Sequence, residues 1–102
     1  MNRYKSGARF ERAIVHYLLE KGAVLVLRGA GSKAYGNIKA DIVALVPSAG
    51  AYRLLIIQAK HSKQNKKKAR AEFESQKLAD WAACLWLDKH EDWKKKLDEV
   101  LP

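Results

Sequence analysis

The chain has 102 residues, with 20 Lys and Arg against 11 Asp and Glu and a formal net charge of +9. This length suits one domain with one hydrophobic core and excludes two independent domains. The single cysteine, Cys84, excludes an intramolecular disulfide and a zinc site built from several cysteines, and we expect a reducing, cytoplasmic location.

The charge is divided unevenly along the chain. Residues 1–70 contain 15 basic and 3 acidic side chains, a balance of +12, whereas residues 71–102 contain 5 and 8, a balance of −3. The first two thirds therefore have the character of a surface that binds a polyanion, and a nucleic-acid backbone is the commonest such partner. A basic surface can also be simply solvated, so charge alone leaves both interpretations open.

The first predicted element is a helix from Ser6, as its N-cap, to about Lys21, with Gly22 in the left-handed position that ends it. Its core face has apolar residues at helical spacing: Phe10, Ile14, Tyr17 and Leu18. Glu11 lies beside that face. Either the helix dipole favours an acid in the first turn, or Glu11 reaches a metal site.

A short strand is predicted over Ala23–Arg28, at or next to the edge of a sheet. The loop that follows, residues 29–37, contains three glycines and has Arg28 and Lys33 as basic neighbours. Such a loop can offer backbone N–H groups, the Ser32 hydroxyl and an ammonium to a phosphate. Its spacing is not that of a nucleoside-triphosphate loop, so we predict substrate contact instead.

Two apolar runs, Ala40–Val46 and Tyr52–Lys60, predict a β-hairpin with a five-residue turn between them. Each run is almost entirely apolar, which is typical of strands that are covered on both faces. We therefore expect the hairpin to occupy the centre of the sheet.

The hairpin carries three polar residues: Asp41 near the start of its first strand, and Gln58 and Lys60 near the end of its second. The two-residue period of a strand places Gln58 and Lys60 on one face. If Val46 pairs with Tyr52 or Arg53, Asp41 lies beside Ile57 or Gln58. A carboxylate, an amide oxygen and an ammonium would then converge.

These three groups suit metal-assisted phosphodiester hydrolysis. A Mg2+ ion requires oxygen ligands, which Asp41, the Gln58 side chain and the Ala59 carbonyl could supply. Lys60 could stabilise the pentavalent phosphate or orient the attacking water, whose pKa the metal lowers. Each residue alone has a purely structural interpretation, and their combination favours the site.

The remaining elements are a basic run, two helices and a strand. Residues 61–68 either contact a phosphate backbone or are merely solvated. A helix is predicted over Ala69–Ala83, a strand over Cys84–Leu87 and a closing helix over Asp92–Leu101. The predicted inward residues of the helices are Phe73, Leu78, Trp81 and Ala82, then Trp93, Leu97 and Val100 or Leu101. The predicted fold is an α/β sandwich with a mixed central sheet flanked by helices.

Four segments resemble the archaeal Holliday-junction resolvases of the PD-(D/E)XK nuclease superfamily, which have a restriction-endonuclease-like fold: Ser6–Val15, Arg28–Lys33, Ala40–Leu45 and Ile57–Lys60. The resemblance covers roughly residues 6–63. It implies that Glu11 and Asp41 are metal-site carboxylates, Ser32 the active-site loop serine and Lys60 the catalytic lysine. It also implies Mg2+ or Mn2+ and a homodimer whose two sites cut opposing strands of a four-way junction.

The candidate DNA contacts are Arg9, Arg28, Lys33, Lys63, Lys66, Lys67 and Lys68. The apolar, Trp-bearing last third of the chain is the candidate dimer surface.

Gln58 departs from the family pattern, which usually has glutamate there, although a Gln-x-Lys variant also occurs in the Mrr-like restriction nucleases. Three hypotheses follow. The protein is a junction-selective endonuclease with a weaker metal site, a non-catalytic nucleic-acid-binding protein on the same scaffold, or a nuclease of duplex or damaged DNA.

Overall fold

The computed structural model describes residues 3–28, 40–61, 66–76 and 79–101, with the backbone alone for residues 3–6. These ranges contain three helices and four strands: α1 (Arg3–Glu20), β1 (Leu25–Arg28), β2 (Ile42–Ser48), β3 (Ala51–Lys60), α2 (Lys67–Glu74), β4 (Ala82–Asp88) and α3 (Trp93–Asp98). Among these helices, none has the length and apolar character needed to cross a membrane.

The strands form one mixed sheet in the order β1-β2-β3-β4. Strands β1, β2 and β3 pair antiparallel, and β4 joins β3 in parallel. The predicted α/β fold with a mixed sheet is confirmed, and the hairpin strands β2 and β3 occupy its centre as expected.

Both faces of the sheet are covered. On one face, α1 and α3 pack against a core of buried strand residues: Ile42, Ala44, Val46, Leu55, Ile57, Leu85 and Leu87. On the other, Phe73 of α2 packs in a second cluster: Ala40, Val43, Ile56, Cys84 and Trp86. Burial on both faces explains why the central strands are almost continuously apolar.

The hairpin turn is tighter than the predicted five residues. Strand β2 continues through Pro47 and Ser48, and the turn consists of Ala49 and Gly50. Their φ angles are 50° and 80°, the positive values of a type I′ turn, which matches the twist of the flanking strands. Pro47 is tolerated in β2 because it lies beyond the residues that pair with β1, so its missing N–H removes no hydrogen bond there.

The hairpin register is one of the two that the sequence allows. Val46 pairs with Arg53 and Ile42 with Ile57, and Asp41, which precedes the paired residues, donates its backbone N–H to the Ile57 carbonyl. The strand period then places Gln58 and Lys60 on the face of Ile56, which is the face that α2 covers.

Helix α1 already includes Arg3, so the prediction of Ser6 as the N-cap is wrong. Arg and Lys are good helix formers, and they extend the helix before the serine. Of the predicted core face, Phe10, Ile14 and Leu18 are buried and Tyr17 is partly buried against them. The left-handed Gly22, with φ 99°, is confirmed. Glu11 consequently lies more than two turns into the helix, where the helix dipole no longer accounts for it.

The helix predicted over Ala69–Ala83 is wrong in its second half. Helix α2 ends at Glu74, and β4 starts at Ala82. Phe73 is buried as predicted, whereas Trp81 is 60 % exposed and is not a core residue. The apolar run from Ala82 to Leu87 forms a parallel strand buried on both faces, a pattern that short-range periodicity does not separate from a helix. Leu78 lies outside the described residues.

The closing helix forms as predicted, with shorter ends. The Asp92 side chain caps it by accepting a 3.2 Å hydrogen bond from the Lys95 N–H. Trp93 packs edge-on against Phe10 at 5.5 Å between ring centroids, which joins α3 to α1. Leu97 is fully buried.

Candidate active site

Asp41 is fixed at the point where β2 begins beside the end of β3. Its backbone N–H donates to the Ile57 carbonyl at 2.9 Å, and its Oδ2 accepts from the Ala59 N–H at 2.8 Å. Asp41 is thus bonded to the residues on both sides of Gln58. The carboxylate takes the place of a backbone acceptor in the ladder, which sets its position relative to Gln58 and Lys60.

Glu11 approaches this position from α1. Its side chain is 22 % exposed, and its Oε1 lies 3.2 Å from the Arg28 Nε. Burial raises the pKa of Glu11, and the nearby Asp41 carboxylate raises it further, while Arg28 and His61 lower it. Two carboxylates therefore share a partly desolvated space in which their charges repel.

Arg28, predicted as a DNA contact, lies within the site through its ion pair with Glu11. It ends β1 and pairs with Ile42, the residue after Asp41. Its guanidinium partly offsets the repulsion between Glu11 and Asp41 and lowers the pKa of Glu11. This position gives Arg28 a role in the carboxylate cluster that the sequence did not suggest.

Gln58 and Lys60 lie beside Trp86 of β4. Gln58 pairs with Trp86 in the parallel register. The Lys60 Nζ lies over the Trp86 ring, 5.1 Å from its centroid. Trp86 is 6 % exposed and belongs to the core cluster on the α2 face.

Sequence reasoning missed His61 and Gly7. A Cβ built on Gly7 would lie 3.2 Å from both Cε1 and Nδ1 of His61, so the imidazole rests directly against the α1 backbone. Gly7 is one helical turn before Glu11, which brings His61 towards the carboxylates. The sequence signal that could have found this contact is the glycine itself. A glycine inside a helix costs about 0.5–1 kcal/mol relative to alanine, so its presence indicates that another group packs closely against the helix backbone.

Three predicted contact residues, Ser32, Lys33 and Lys63, lie outside the described residues. Arg9 is exposed on α1, and Lys66, Lys67 and Lys68 are exposed at the start of α2. The first turn of α2 contains no acidic residue. Positive charges near the N-terminus of a helix interact unfavourably with the helix dipole, so these lysines do not stabilise the fold.

Glu11 and Asp41 are the carboxylates that a hard divalent cation prefers, and the β3 segment that Asp41 bonds carries further oxygen donors, the Gln58 amide and the Ala59 carbonyl. Glu11 comes from α1 on one face of the sheet, whereas Gln58 and Lys60 lie on the face that α2 covers. Within the described ranges, no group of three or more His, Cys, Asp or Glu residues is close enough to hold an ion. Gln58, which lies between the two β3 residues that Asp41 bonds, is neutral and adds no negative charge.

Comparison with known proteins gives one match. Residues 2–95 match the model of the family described as archaeal Holliday junction resolvase (Hjc). No curated protein and no solved structure matches. The matched range continues through β4 to the start of α3, and so includes the segment that holds Trp86.

Proposed function

Because the chain belongs to the archaeal Holliday junction resolvase family, a family of nucleases in DNA recombination and repair, we propose that it is a metal-dependent endonuclease that cleaves four-way junctions. The observation that carries this proposal is the approach of Glu11 and Asp41 to each other beside the end of β3. Carboxylates held together at a cost in repulsion are expected where a cation is bound.

In the proposed site, Glu11, Asp41, the Gln58 side-chain oxygen and the Ala59 carbonyl would hold Mg2+ or Mn2+. When bound, such an ion would supply Lewis-acid stabilisation and activate water for attack on the phosphodiester. Arg28 lowers the pKa of Glu11 and so favours the ionised form that a cation requires. Lys60 provides positive charge for the phosphate as negative charge develops on it.

The basic surface binds the DNA backbone without reading its bases. Arg9 and Lys66–Lys68 are exposed and available to phosphates. Ser32, Lys33 and Lys63, which lie outside the described residues, are proposed to contact the substrate. Binding of this kind weakens steeply with salt and depends little on base sequence. We propose an intracellular location, where the DNA of recombination and repair is found.

The proposal requires a homodimer, because one small domain with one site does not cut two strands symmetrically. The predicted dimer surface needs revision, since Trp86 and Trp93 pack in the core. Exposed apolar side chains at Trp81 and along β1, at Leu25 and Leu27, support a surface that a second copy covers.

The second candidate function is a non-catalytic junction-binding protein. Gln58 favours it, since the site has one carboxylate fewer than the family pattern and no described cluster of three acids. The same scaffold and basic surface would bind DNA without cleaving it.

The experiment compares a labelled synthetic four-way junction with a duplex of the same sequence, using wild-type protein with Mg2+ or Mn2+. A resolvase gives paired cuts at symmetric positions in opposing strands of the junction. Equal cutting of the duplex would indicate a duplex nuclease instead. Tight junction binding without a cut in either metal would support the binding protein.

A further inference from the structure

Trp86 is held in place by contacts from two helices. The Phe73 ring packs against it at 6.3 Å with an interplanar angle of 63°. Its carbonyl accepts a 2.8 Å hydrogen bond from the Lys96 Nζ, which also bonds the Glu74 carboxylate at 2.5 Å. Helices α2 and α3 therefore both fix the position of this residue in β4.

The Lys60 ammonium lies over the indole ring that is fixed in this way. Its Nζ is 5.1 Å from the ring centroid, within the range of a cation–π contact, for which tryptophan is the best aromatic partner. Trp86 pairs with Gln58, so a lysine that leans onto this ring is directed back along β3 beside the glutamine. The Lys60 side chain would otherwise be free to extend past the end of the strand.

We propose that Trp86 is a positioning residue for Lys60, whose ammonium it holds beside Gln58 before metal and DNA bind. The proposed function supplies the reaction that this lysine serves, and the inference rests on it to that extent. An aromatic ring suits the task because it attracts the ammonium without neutralising it. A carboxylate in the same place would compete for the lysine and for the cation.

The nearest acidic alternative along the strand is already engaged. Asp88 pairs with Lys60 in the β3–β4 register, and its Oδ1 accepts a 2.8 Å hydrogen bond from the His90 N–H. The turn after β4 thus uses this carboxylate. The structure shows the Lys60 ammonium over the ring of Trp86.

The contact is tested directly by NMR of the metal-free, DNA-free protein with labelled lysines. Lys60→Arg assigns the Lys60 signals. Protons beside the Nζ should be shifted upfield by the indole ring current, less so in Trp86→Phe and not at all in Trp86→Leu. Trp93→Leu, which removes an indole from the opposite face of the sheet, is the matched control and should leave the Lys60 shift unchanged.

Single-turnover cleavage of the four-way junction tests the consequence. Loss of the ring in Trp86→Leu should lower the rate about tenfold with little change in junction affinity, and Trp86→Phe should recover part of the rate. An unshifted Lys60 signal in the wild type, or an unchanged rate in a folded Trp86→Leu, would overturn the proposal. If Trp86→Leu does not fold, the Lys60 proton shifts of the wild type and of Trp86→Phe test the proposal instead. An inactive wild type would overturn the proposed function alone, because the shift is read without metal or DNA.

Discussion

The Ala59 N–H donates a 2.8 Å hydrogen bond to the Oδ2 of Asp41, which ties the carboxylate at the start of β2 to the centre of the Gln58-Ala59-Lys60 segment. Because the donor is a backbone N–H of β3, the position of the Asp41 carboxylate is fixed by the sheet backbone. This hydrogen bond also separates the structural use of Asp41 from its charge, because an amide oxygen can accept the same hydrogen bond.

Asp41→Asn should therefore keep the fold and lose the chemistry. Its stability should stay within about 1 kcal/mol of the wild type, the size of one hydrogen bond. Its cleavage rate should fall by roughly 100-fold or more, because the substitution removes a charge from the metal site. Thermal melts and single-turnover cleavage measure the two effects.

The matched control for this substitution is Asp98→Asn. Asp98 also accepts a hydrogen bond, from the Tyr17 hydroxyl at 2.5 Å, but it belongs to α3. Cleavage by Asp98→Asn should match the wild type. Wild-type cleavage by Asp41→Asn would show that the site is assigned to the wrong carboxylate.

Glu11→Gln should stabilise the metal-free protein at neutral pH. Burial, and then the Asp41 carboxylate, raise the pKa of Glu11 above its ordinary value. A raised pKa means that the folded state binds the proton more tightly, so this stability is present below the unfolded pKa and is lost as pH rises through the folded one. The glutamine variant avoids that loss.

Thermal melts in a chelator at about pH 4 and about pH 7 test whether the stability difference between Glu11→Gln and the wild type changes with pH in this direction. The advantage of Glu11→Gln over the wild type should grow with pH, whereas Glu20→Gln, at the exposed end of the same helix, should show no such trend. If Glu11→Gln is less stable than the wild type at neutral pH, the ion pair with Arg28 outweighs the repulsion.

The sequence was sufficient for features that follow from strand and helix periods. It predicted the core face of α1 and the central hairpin, and it limited the register of Asp41 to two choices. It did not predict that Arg28 meets Glu11 or that Trp86 meets Lys60. Arg28 is positioned by the pairing of β1 with β2, and Trp86 by the pairing of β4 with β3. Neither pair of strands is joined by a tight turn, so the spacing of residues along the chain does not determine the register of either pair.

Lys67 and Lys68 should show opposite effects on stability and on DNA binding. Both are exposed in the first turn of α2, where cations oppose the helix dipole. Lys67→Gln with Lys68→Gln should stabilise the helix by a few tenths of a kcal/mol, roughly 0.3 per charge, at low salt. The slope of log affinity against log salt should decrease by up to about 2.

Lys94→Gln with Lys95→Gln removes the same charge from α3 and serves as the matched control. Lys95 lies in the last turn, where a cation is favourable, so this pair should lose a little stability. Its salt slope should stay near that of the wild type. Equal slopes in the two double variants would mean that the α2 lysines are only solvated.

Gly7 and His61 should be energetically coupled. Alanine at position 7 favours the helix by about 0.5–1 kcal/mol, but its Cβ would lie 3.2 Å from the imidazole. Gly7→Ala should therefore stabilise the protein more in the His61→Ala background, where the ring is absent, than in the wild type. Denaturant unfolding of the four proteins in this cycle measures the coupling. Additive effects would mean that the ring moves aside at no cost.

Gln58→Glu should lower the metal requirement of the enzyme. A neutral amide oxygen attracts Mg2+ less than a carboxylate does, so the wild type should need high Mg2+ and work better with Mn2+. Restoring the charge should reduce the half-maximal Mg2+ concentration by about tenfold. In the Asp41→Asn background the same substitution should not restore cleavage. An unchanged metal dependence would show that Gln58 does not contact the ion.

The most direct measurement is single-turnover cleavage of a four-way junction by the wild-type protein across a Mn2+ titration, with Gln58→Glu measured in parallel. We predict that the wild type makes paired cuts in opposing strands at high Mn2+, and that Gln58→Glu makes the same cuts at lower concentrations. A wild type that binds the junction tightly but cuts nothing at any Mn2+ concentration, while Gln58→Glu cuts, would contradict this prediction.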